Sequence, residues 1–315
     1  MVAIMGKAQS NYLSRRMPLG NGLKGWVVER PGLHIDETGL SALLEDLREI
    51  ARKTLPDGEL DYGIFDAASG AMDRSVITIL YDSKTARPIA FNSMPLLDVD
   101  IQSQAIEIVH LGLVMVDPDA RSSGLSAMLY GFACAMMLIR NQFRPVWVSS
   151  VTQVPAVVGL VSELYSQTFP SPKPDARPTF QHQQIAKRIM RKHRAAFGVG
   201  EDAEFDEEAF IISNAYTGGS DNLKKIFANA PKHRNQAVND LCERKLDYAR
   251  GDDFLQIGKL DIAALRYFIF RTLPRRSALS SATALIFFGF QFVFLPIRHW
   301  FDADKPWGAL RPWKT

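Results

Sequence analysis

The sequence predicts an α+β domain built on a mixed β-sheet, and a few apolar stretches carry that prediction. Residues 108–116 form an almost unbroken apolar run, which is typical of a strand buried on both faces of a sheet. Residues 125–139 follow as an apolar segment of helical composition. Residues 75–81 and 145–151 are short apolar runs bounded by turn residues, and each predicts a further strand.

The composition is that of a globular protein. With 315 residues, 47% hydrophobic and 23% charged, the chain can bury a substantial core in one large or two small domains. A net charge of +3 is too small to indicate a nucleic-acid-binding protein. Cys134 and Cys242 lie far apart, and Lys7 interrupts the apolar start. We therefore expect reduced thiols, no secretory signal and a cytoplasmic protein.

The first part of the chain predicts an arm followed by a helix. Residues 1–32 are basic and glycine-rich, which indicates a mobile arm with a first strand at residues 26–29. Leucines at helical spacing then predict an amphipathic helix that begins after Asp36 and ends at Pro56.

The strands on either side of the central run follow from local patterns. Strand 75–81 is expected to pair with strand 88–94 across a polar loop, and residues 95–104 to form a second connection. After strand 145–151, residues 155–165 predict a helix with proline in its first turn.

The second half of the chain continues the sheet with insertions. Residues 179–197 predict a very basic helix, and residues 201–208 an acidic loop. Strands are expected at 209–213 and 253–260, with a helix near 232–250 between them. The basic helix is interpreted first as a solvated face. An anionic-lipid or acyl-carrier-protein patch is the sharper alternative, and nucleic acid the weakest.

A proline turn and a polar loop connect the central run to the apolar helix. The run ends at Val116-Asp117-Pro118, because proline cannot donate to a sheet ladder. The loop 121–126 then enters the helix, whose first N–H groups and positive dipole end favour an anion. Over residues 36–170 this resembles the acyl-CoA site of GNAT-type N-acyltransferases. Their signature is Val-x-Pro, then (Gln/Arg)-x-x-Gly-x-(Gly/Ala), then a helix; Ser126 departs from it, and an ordinary strand–helix turn is the alternative.

The resemblance implies a GNAT-like α+β fold, whose mixed central sheet is splayed at the CoA site and which here carries additional C-terminal helices. It implies acyl-CoA as the acyl donor, with acyl-carrier protein as an alternative, and no metal ion. Main-chain donors of the loop would hold the pyrophosphate, and an N–H between residues 113 and 115 would hold the thioester oxygen. The implied cofactor-binding residues are Leu113, Val114, Met115, Val116, Arg121, Ser122, Ser123, Gly124, Leu125 and Ser126.

The implied reaction is attack of an amine on a thioester, for which a base and an acid are expected. His110 stands eight residues before Pro118, where the family often has a glutamate. Its ordinary pKa of about 6.5 suits a base. Glu107 is the second candidate base, although it should point to the opposite strand face. Tyr165 is the candidate acid; for His110 and Tyr165 the alternative is a role in core packing.

The C-terminal tail is the most hydrophobic segment. Residues 278–297 contain no charged residue, and about 20 apolar residues can span a bilayer. Flanking arginines and tryptophans favour a segment that lies in or against the membrane. A core helix or a homodimer helix is the alternative.

These observations predict four parts and one activity. The parts are an arm (1–32), a GNAT-like acyl-CoA-binding core (33–170), a sheet-completing part (171–275) and a membrane-associating tail (276–315). The expected activity is transfer of a long-chain acyl group to the amine of a lipid, for instance a sphingoid base, at the inner membrane, similar in kind to bacterial ceramide synthase. The alternatives are a small-molecule or protein N-acetyltransferase and a non-catalytic acyl-CoA-binding membrane adaptor.

Overall fold

The computed structural model describes residues 12–20, 22–55, 63–65, 69–101, 104–120, 125–141, 144–267, 286, 289 and 293. The strands are β1 (Ser14–Gly20), β2 (Leu23–Glu29), β3 (Ser75–Asp82), β4 (Pro88–Ile101), β5 (Gln104–His110), β6 (Val114–Val116), β7 (Val146–Thr152), β8 (Ser166–Phe169), β9 (Glu204–Asp206), β10 (Ile211–Ser213) and β11 (Asp253–Leu260). The α-helices are α1 (Glu37–Thr54), α2 (Leu125–Arg140), α3 (Pro155–Leu164), α4 (Phe180–Lys192), α5 (Gln236–Lys245) and α6 (Ile262–Tyr267).

The strands form one mixed sheet. Its order is β1-β2-β3-β4-β5-β7-β11-β10-β9, with β6 paired to β4 and β8 paired to β11. Strands β5 and β7 run parallel, while β4 is antiparallel to β5 and β11 is antiparallel to β7. The prediction that residues 209–213 and 253–260 complete the sheet is confirmed by β10 and β11.

The sheet splays apart in the middle. Strands β5 and β7 pair over three positions, from Ile108 with Trp147 to His110 with Ser149. Beyond His110 the chain passes into β6, which pairs with β4, whereas the end of β7 pairs with β11. The two halves of the sheet therefore diverge and leave a wedge between β6 and residues 150–152. This mixed, splayed sheet with helices on both faces confirms the predicted fold class.

Helices cover both faces of the sheet, and strand alternation decides which side chains each face presents. Val109 and Val148 belong to the core that also contains α2. Ile108 on β5 and Ile257 on β11 point to the opposite face, into the core formed with α4. Helix α1 covers the same face of the sheet as α4, where it packs against β2 and β3. The wedge is a gap within the sheet, with α2 on one face of the sheet and α4 on the other.

Several predicted helices are confirmed with their expected starts. Helix α1 begins after Asp36, whose carboxylate accepts a hydrogen bond from the N–H of Gly39 at 2.8 Å. Helices α2 and α3 lie where the apolar patterns placed them. Helix α4 begins after Thr179 and ends at Lys192, a few residues before the predicted end.

The central run is not one strand, and the predicted connection after residue 94 is wrong. Residues 104–110 and 114–116 form two strands, because the chain breaks away from the sheet at Gly112. Strand β4 continues to Ile101 through the segment predicted as a connection. In that segment Val99 is buried while Asp98 and Asp100 are exposed, which is the alternation of a half-buried strand.

The ends of the described chain also differ from prediction. Strand β2 confirms the predicted strand at residues 26–29. It pairs with β1 at the sheet edge, so these described residues are not a mobile arm, because Trp26, Val27 and Val28 bury their side chains. Strand β9 lies inside the predicted acidic loop, and α5 is shorter than predicted. The predicted tail, residues 276–315, lies outside the described residues except for three isolated positions. Within the described ranges, no helix has the length and apolar character needed to cross a bilayer.

Candidate functional site

The wedge contains a cavity of about 310 Å³. One wall is the segment between β5 and β6, and the other is the end of β7. Loops from the second half of the chain close it on the α4 face, and α2 borders it on the opposite face. Residues with polar groups at its wall include His110, Gly112, Tyr130, Thr152, Lys225 and Asp253.

The strand break leaves two backbone donors without an acceptor beside this cavity. Leu111 still donates its N–H to Ser149 O at 2.7 Å, and Leu113 O accepts from the N–H of Ser93 at 2.9 Å. Between them, the N–H groups of Gly112 and Leu113 have no hydrogen-bond acceptor in the described part of the chain. Both residues line the cavity. Such preorganised donors are suited to hold an oxygen that gains negative charge.

Glycine is required at the break by close packing. A Cβ atom at Gly112 would lie 2.4 Å from Ser93 O and 2.9 Å from Pro95 Cδ. Because real Cβ atoms do not approach a backbone oxygen so closely, any larger residue would push the segment away from β4. Gly112 therefore permits the bend that leaves these two amides unpaired beside the cavity.

His110 lies at the point where β5 and β7 separate. It is 2% exposed, its Nδ1 is 3.0 Å from Ser149 Oγ, and its ring stacks on Phe197 with 4.9 Å between centroids. Burial, with a smaller effect of His193, lowers the pKa of His110 to about 3. The imidazole is thus neutral at physiological pH, at the wall of the cavity where the sequence predicted a base.

Asp253 is another titratable residue in the cavity wall, and the sequence did not predict it as a site residue. It is 4% exposed, and its Oδ1 accepts a hydrogen bond from Tyr216 Oη at 3.0 Å. Burial raises the pKa of Asp253 to about 7, opposed by the Tyr216 hydrogen bond and assisted by Asp252. The sequence signal was a pair of aspartates directly before an apolar strand, which predicted only the strand.

Tyr130 on α2 and Tyr216 both line the cavity. The Tyr130 hydroxyl lies 3.5 Å from Gly112 O, and burial raises its pKa, so the O–H stays protonated. The predicted acid, Tyr165, lies in the core on the α2 face, and its hydroxyl is 3.3 Å from Cys134 Sγ. Tyr165 is not among the residues that line the cavity.

Glu107 points away from the cavity, as its strand position predicted. Its carboxylate forms an ion pair with Arg30, 2.5 Å from Nη2 to Oε2. His110 and Glu107 are three residues apart on β5, so the two side chains lie on opposite faces. The structure therefore brings His110, and not Glu107, to the wedge.

The predicted cofactor residues fall into three groups. Leu113 and Val114 line the cavity, whereas Met115 is buried against α1 and Val116 packs on the α2 face. Residues 121–124, including the predicted Arg121, Ser122, Ser123 and Gly124, lie outside the described residues. Leu125 and Ser126 begin α2, with Leu125 buried and Ser126 exposed. No group of side chains suited to a metal ion is found in the described ranges.

A second cavity of about 330 Å³ adjoins the first. The two share Gly63, Pro95 and Ala196 in their walls. It lies beside the C-terminal end of α4, where Lys192 and His193 border it. The second cavity therefore borders the wedge on the α4 face.

No protein-family model and no curated protein matches this chain. Among solved structures, ribosomal-protein-S5-alanine acetyltransferase from Vibrio fischeri is 8% identical, with 79% of this chain and 98% of that chain aligned and a TM-score of 0.33. A probable N-acyltransferase from Enterococcus faecalis V583 is 10% identical over 49% of this chain and 42% of that chain, with a TM-score of 0.30.

The AtaT toxin, in a mutant form bound to the antitoxin AtaR and acetyl-CoA, is 16% identical, with a TM-score of 0.20. That alignment covers 24% of this chain and 49% of that chain, so the match spans about half of AtaT. All three likenesses are distant. The fold assignment accordingly rests on the order, direction and splay of the strands in this chain.

Proposed function

We propose that this protein is an acyl-CoA-dependent N-acyltransferase that moves an acyl group from coenzyme A to an amine. The observation that carries the proposal is the wedge between β6 and β7, with the unpaired amides of Gly112 and Leu113 in its wall. The pantetheine arm, which is long and thin, would extend along the wedge. Its thioester carbonyl would then meet the two N–H groups.

The phosphates would lie at the N-terminus of α2. The main-chain N–H groups of loop 121–126 and the positive end of the helix dipole favour an anion there, and Arg121 would add a positive charge. This placement is supported by the sequence motif and by Leu125 as the first residue of α2. A diphosphate at that point and a thiol at Gly112 would lie at opposite ends of the same donor.

The chemical step needs no cofactor beyond the donor. A neutral amine attacks the thioester carbon, and the oxyanion accepts hydrogen bonds from the N–H groups of Gly112 and Leu113. When the C–S bond breaks, the thiolate takes a proton, for which the Tyr130 hydroxyl is placed at the cavity wall. His110 is the base predicted from the sequence, and Glu107, on the other face, is not carried into this mechanism.

Release of free thiol tests the proposal directly. Purified protein is mixed with acetyl-CoA or palmitoyl-CoA and a panel of amines, including a sphingoid base, and free thiol and amide are measured. We expect amine-dependent thiol release with matching amide formation. Saturable CoA binding without thiol release under every condition would instead favour a non-catalytic acyl-CoA-binding protein.

A lipid acceptor is a finer proposal, and the hydrophobic tail motivates it. If the acceptor is a lipid amine at the membrane, palmitoyl-CoA and a sphingoid base should be preferred, and turnover should rise with added vesicles. A protein truncated after residue 275 should lose that vesicle dependence. A preference for acetyl-CoA and a water-soluble amine would favour a small-molecule or protein N-acetyltransferase. Replacement of CoA by loaded acyl-carrier protein tests the alternative donor.

A further inference from the structure

We infer that Asp253 binds the ammonium form of the acceptor and removes its proton, which makes Asp253 the general base of acyl transfer. This inference rests on the proposed function. It specifies the acceptor as a protonated aliphatic amine that enters the wedge from the α4 face. Neither the motif nor the strand pattern of the sequence indicates this residue.

The strand register places Asp253 on the same face of the sheet as His110. On β11, Asp253, Leu255 and Ile257 alternate toward one side, and the two apolar residues pack in the core with α4. Ile108 lies in that core too, and His110 follows it by two positions on β5. Asp253 therefore faces the α4 side of the wedge, opposite α2.

Only one of the two carboxylate oxygens of Asp253 accepts a hydrogen bond in the described part of the chain. Tyr216 donates to Oδ1, while Oδ2 has no hydrogen-bond partner in the part of the chain that the structure describes. A buried carboxylate is costly unless hydrogen bonds or a positive charge compensate it. An ammonium group in the cavity would supply both. The open oxygen is thus the site where the acceptor amine is expected to bind.

In the described part of the chain, no other charged or titratable group near Asp253 forms a hydrogen bond or ion pair with its carboxylate. Asp252 precedes it and is ion-paired with Arg250, and Tyr248 interacts with it at longer range. His110 and Lys225 line the same cavity. Of the two candidate bases, Asp253 has the pKa nearer neutrality, about 7 against about 3 for His110. Asp253 is therefore the stronger proton acceptor at physiological pH.

The proton balance is complete without another reactant. The ammonium group gives one proton to Asp253 Oδ2, and the neutral amine attacks the thioester carbon. A C–N bond forms, the C–S bond breaks, and the remaining surplus proton on nitrogen passes to the departing thiolate through the Tyr130 hydroxyl. The products are the amide and free coenzyme A, and Asp253 returns its proton to solvent.

The test compares Asp253→Asn with wild type and with Asp252→Asn, a neighbouring buried carboxylate whose partner is Arg250. We expect Asp253→Asn to lower kcat by about 100-fold or more, in the range of lost general base catalysis. Coenzyme A affinity by calorimetry should be unchanged, and Asp252→Asn, if folded, should keep kcat within a few-fold of wild type.

The pH profile separates a base from a structural role. For wild type, kcat/KM should fall as the pH drops below about 7, because protonated Asp253 cannot accept a proton. That acid limb should be absent in Asp253→Asn. Tyr216→Phe keeps the carboxylate but removes a hydrogen bond that lowers its pKa, so the limb should move to higher pH.

The outcomes distinguish the two proposals. Wild-type protein without thiol release overturns the proposed function. If wild type is active and Asp253→Asn is equally active, the role of Asp253 is overturned. The same conclusion follows if the acid limb is unchanged in both Asp253→Asn and Tyr216→Phe. Should Asp253→Asn fail to fold, the shift of the limb in Tyr216→Phe still decides the question.

Discussion

Burial changes the pKa values of Asp253 and His110, two residues of the wedge, in opposite directions. It raises the pKa of Asp253 and lowers that of His110, since in both cases the neutral form is favoured away from water. His110 was placed near the site by its distance from Pro118 along one strand. Asp253 depends on the pairing of β11 with β7 and on Tyr216, which is 37 residues away in sequence. A single sequence contains no local pattern for such a partnership.

The buried carboxylate of Asp253 should lower the stability of the protein when it is ionised. Its folded pKa of about 7 exceeds the unfolded value, so the folded state favours the protonated form. Stability is therefore lost as the pH rises from about 4 to 7, and the loss is complete above that range. Asp253→Asn should stabilise the protein at pH 8 by on the order of 2–4 kcal/mol and much less at pH 4. Urea unfolding at both pH values measures this; an equal effect at both would contradict it.

The second prediction concerns His110. Its folded pKa of about 3 lies below the unfolded value, so the unfolded state binds the proton more readily. Stability should fall as the pH drops from about 6.5 toward 3. His110→Gln can keep a hydrogen bond to Ser149 but cannot titrate. It should flatten this pH dependence in thermal melts, and an unchanged slope would show that His110 does not cause it.

The same variant tests His110 as the predicted base. If His110 accepts the proton, His110→Gln should lower kcat as strongly as Asp253→Asn while coenzyme A affinity stays constant. A small effect in His110→Gln beside a large one in Asp253→Asn would assign His110 a positioning role through Ser149.

At the level of secondary structure, apolar patterns located most elements but not the break between β5 and β6. The run 108–116 is apolar throughout, so nothing in its composition marks an interruption. The interruption arises because Gly112 packs against β4, a contact between segments about twenty residues apart in sequence. Gly112 and Leu113 were thus predicted as part of a strand. Only the N–H groups of residues 113–115 were predicted as donors to the oxyanion.

Gly112→Ala tests the importance of the break. The new Cβ would meet Ser93 O at 2.4 Å, so the segment must shift and carry both amides with it. Overpacking of this kind costs about 1–3 kcal/mol. We expect that loss in denaturant unfolding, together with a fall in kcat of about ten-fold or more from misplaced oxyanion donors. A fully active Gly112→Ala would contradict the assignment of these donors.

Across the whole molecule, the sheet order could not be predicted from the sequence, although most of the longer strands could. Antiparallel hairpins such as β3–β4 follow from short loops, but the pairing of β7 with β11 spans about a hundred residues. That long-range pairing closes the α4 side of the wedge and brings Asp253 into it. The tail and loop 121–124 lie outside the described residues, so their predicted roles remain predictions.

A buried ion-pair network links distant elements on the α2 face. Arg140 at the end of α2 pairs with Glu29 of β2, and Arg30 pairs with Glu107 of β5. Glu29 is 1% exposed and also lies 3.7 Å from Arg30 Nε, so loss of Arg140 leaves its charge with only this longer ion pair. Arg140→Met should destabilise the protein by about 3 kcal/mol in urea unfolding, at the low end for a broken buried pair because the Arg30 ion pair remains. Arg52→Met, in an exposed pair with Glu45, is the matched control and should change the Tm very little.

The most direct measurement of the central claim is a crystal structure with coenzyme A. We expect the pantetheine arm between β6 and the end of β7, with the sulfur near the amides of Gly112 and Leu113 and the diphosphate at the start of α2. Coenzyme A bound at another cleft, with the wedge empty, would contradict it.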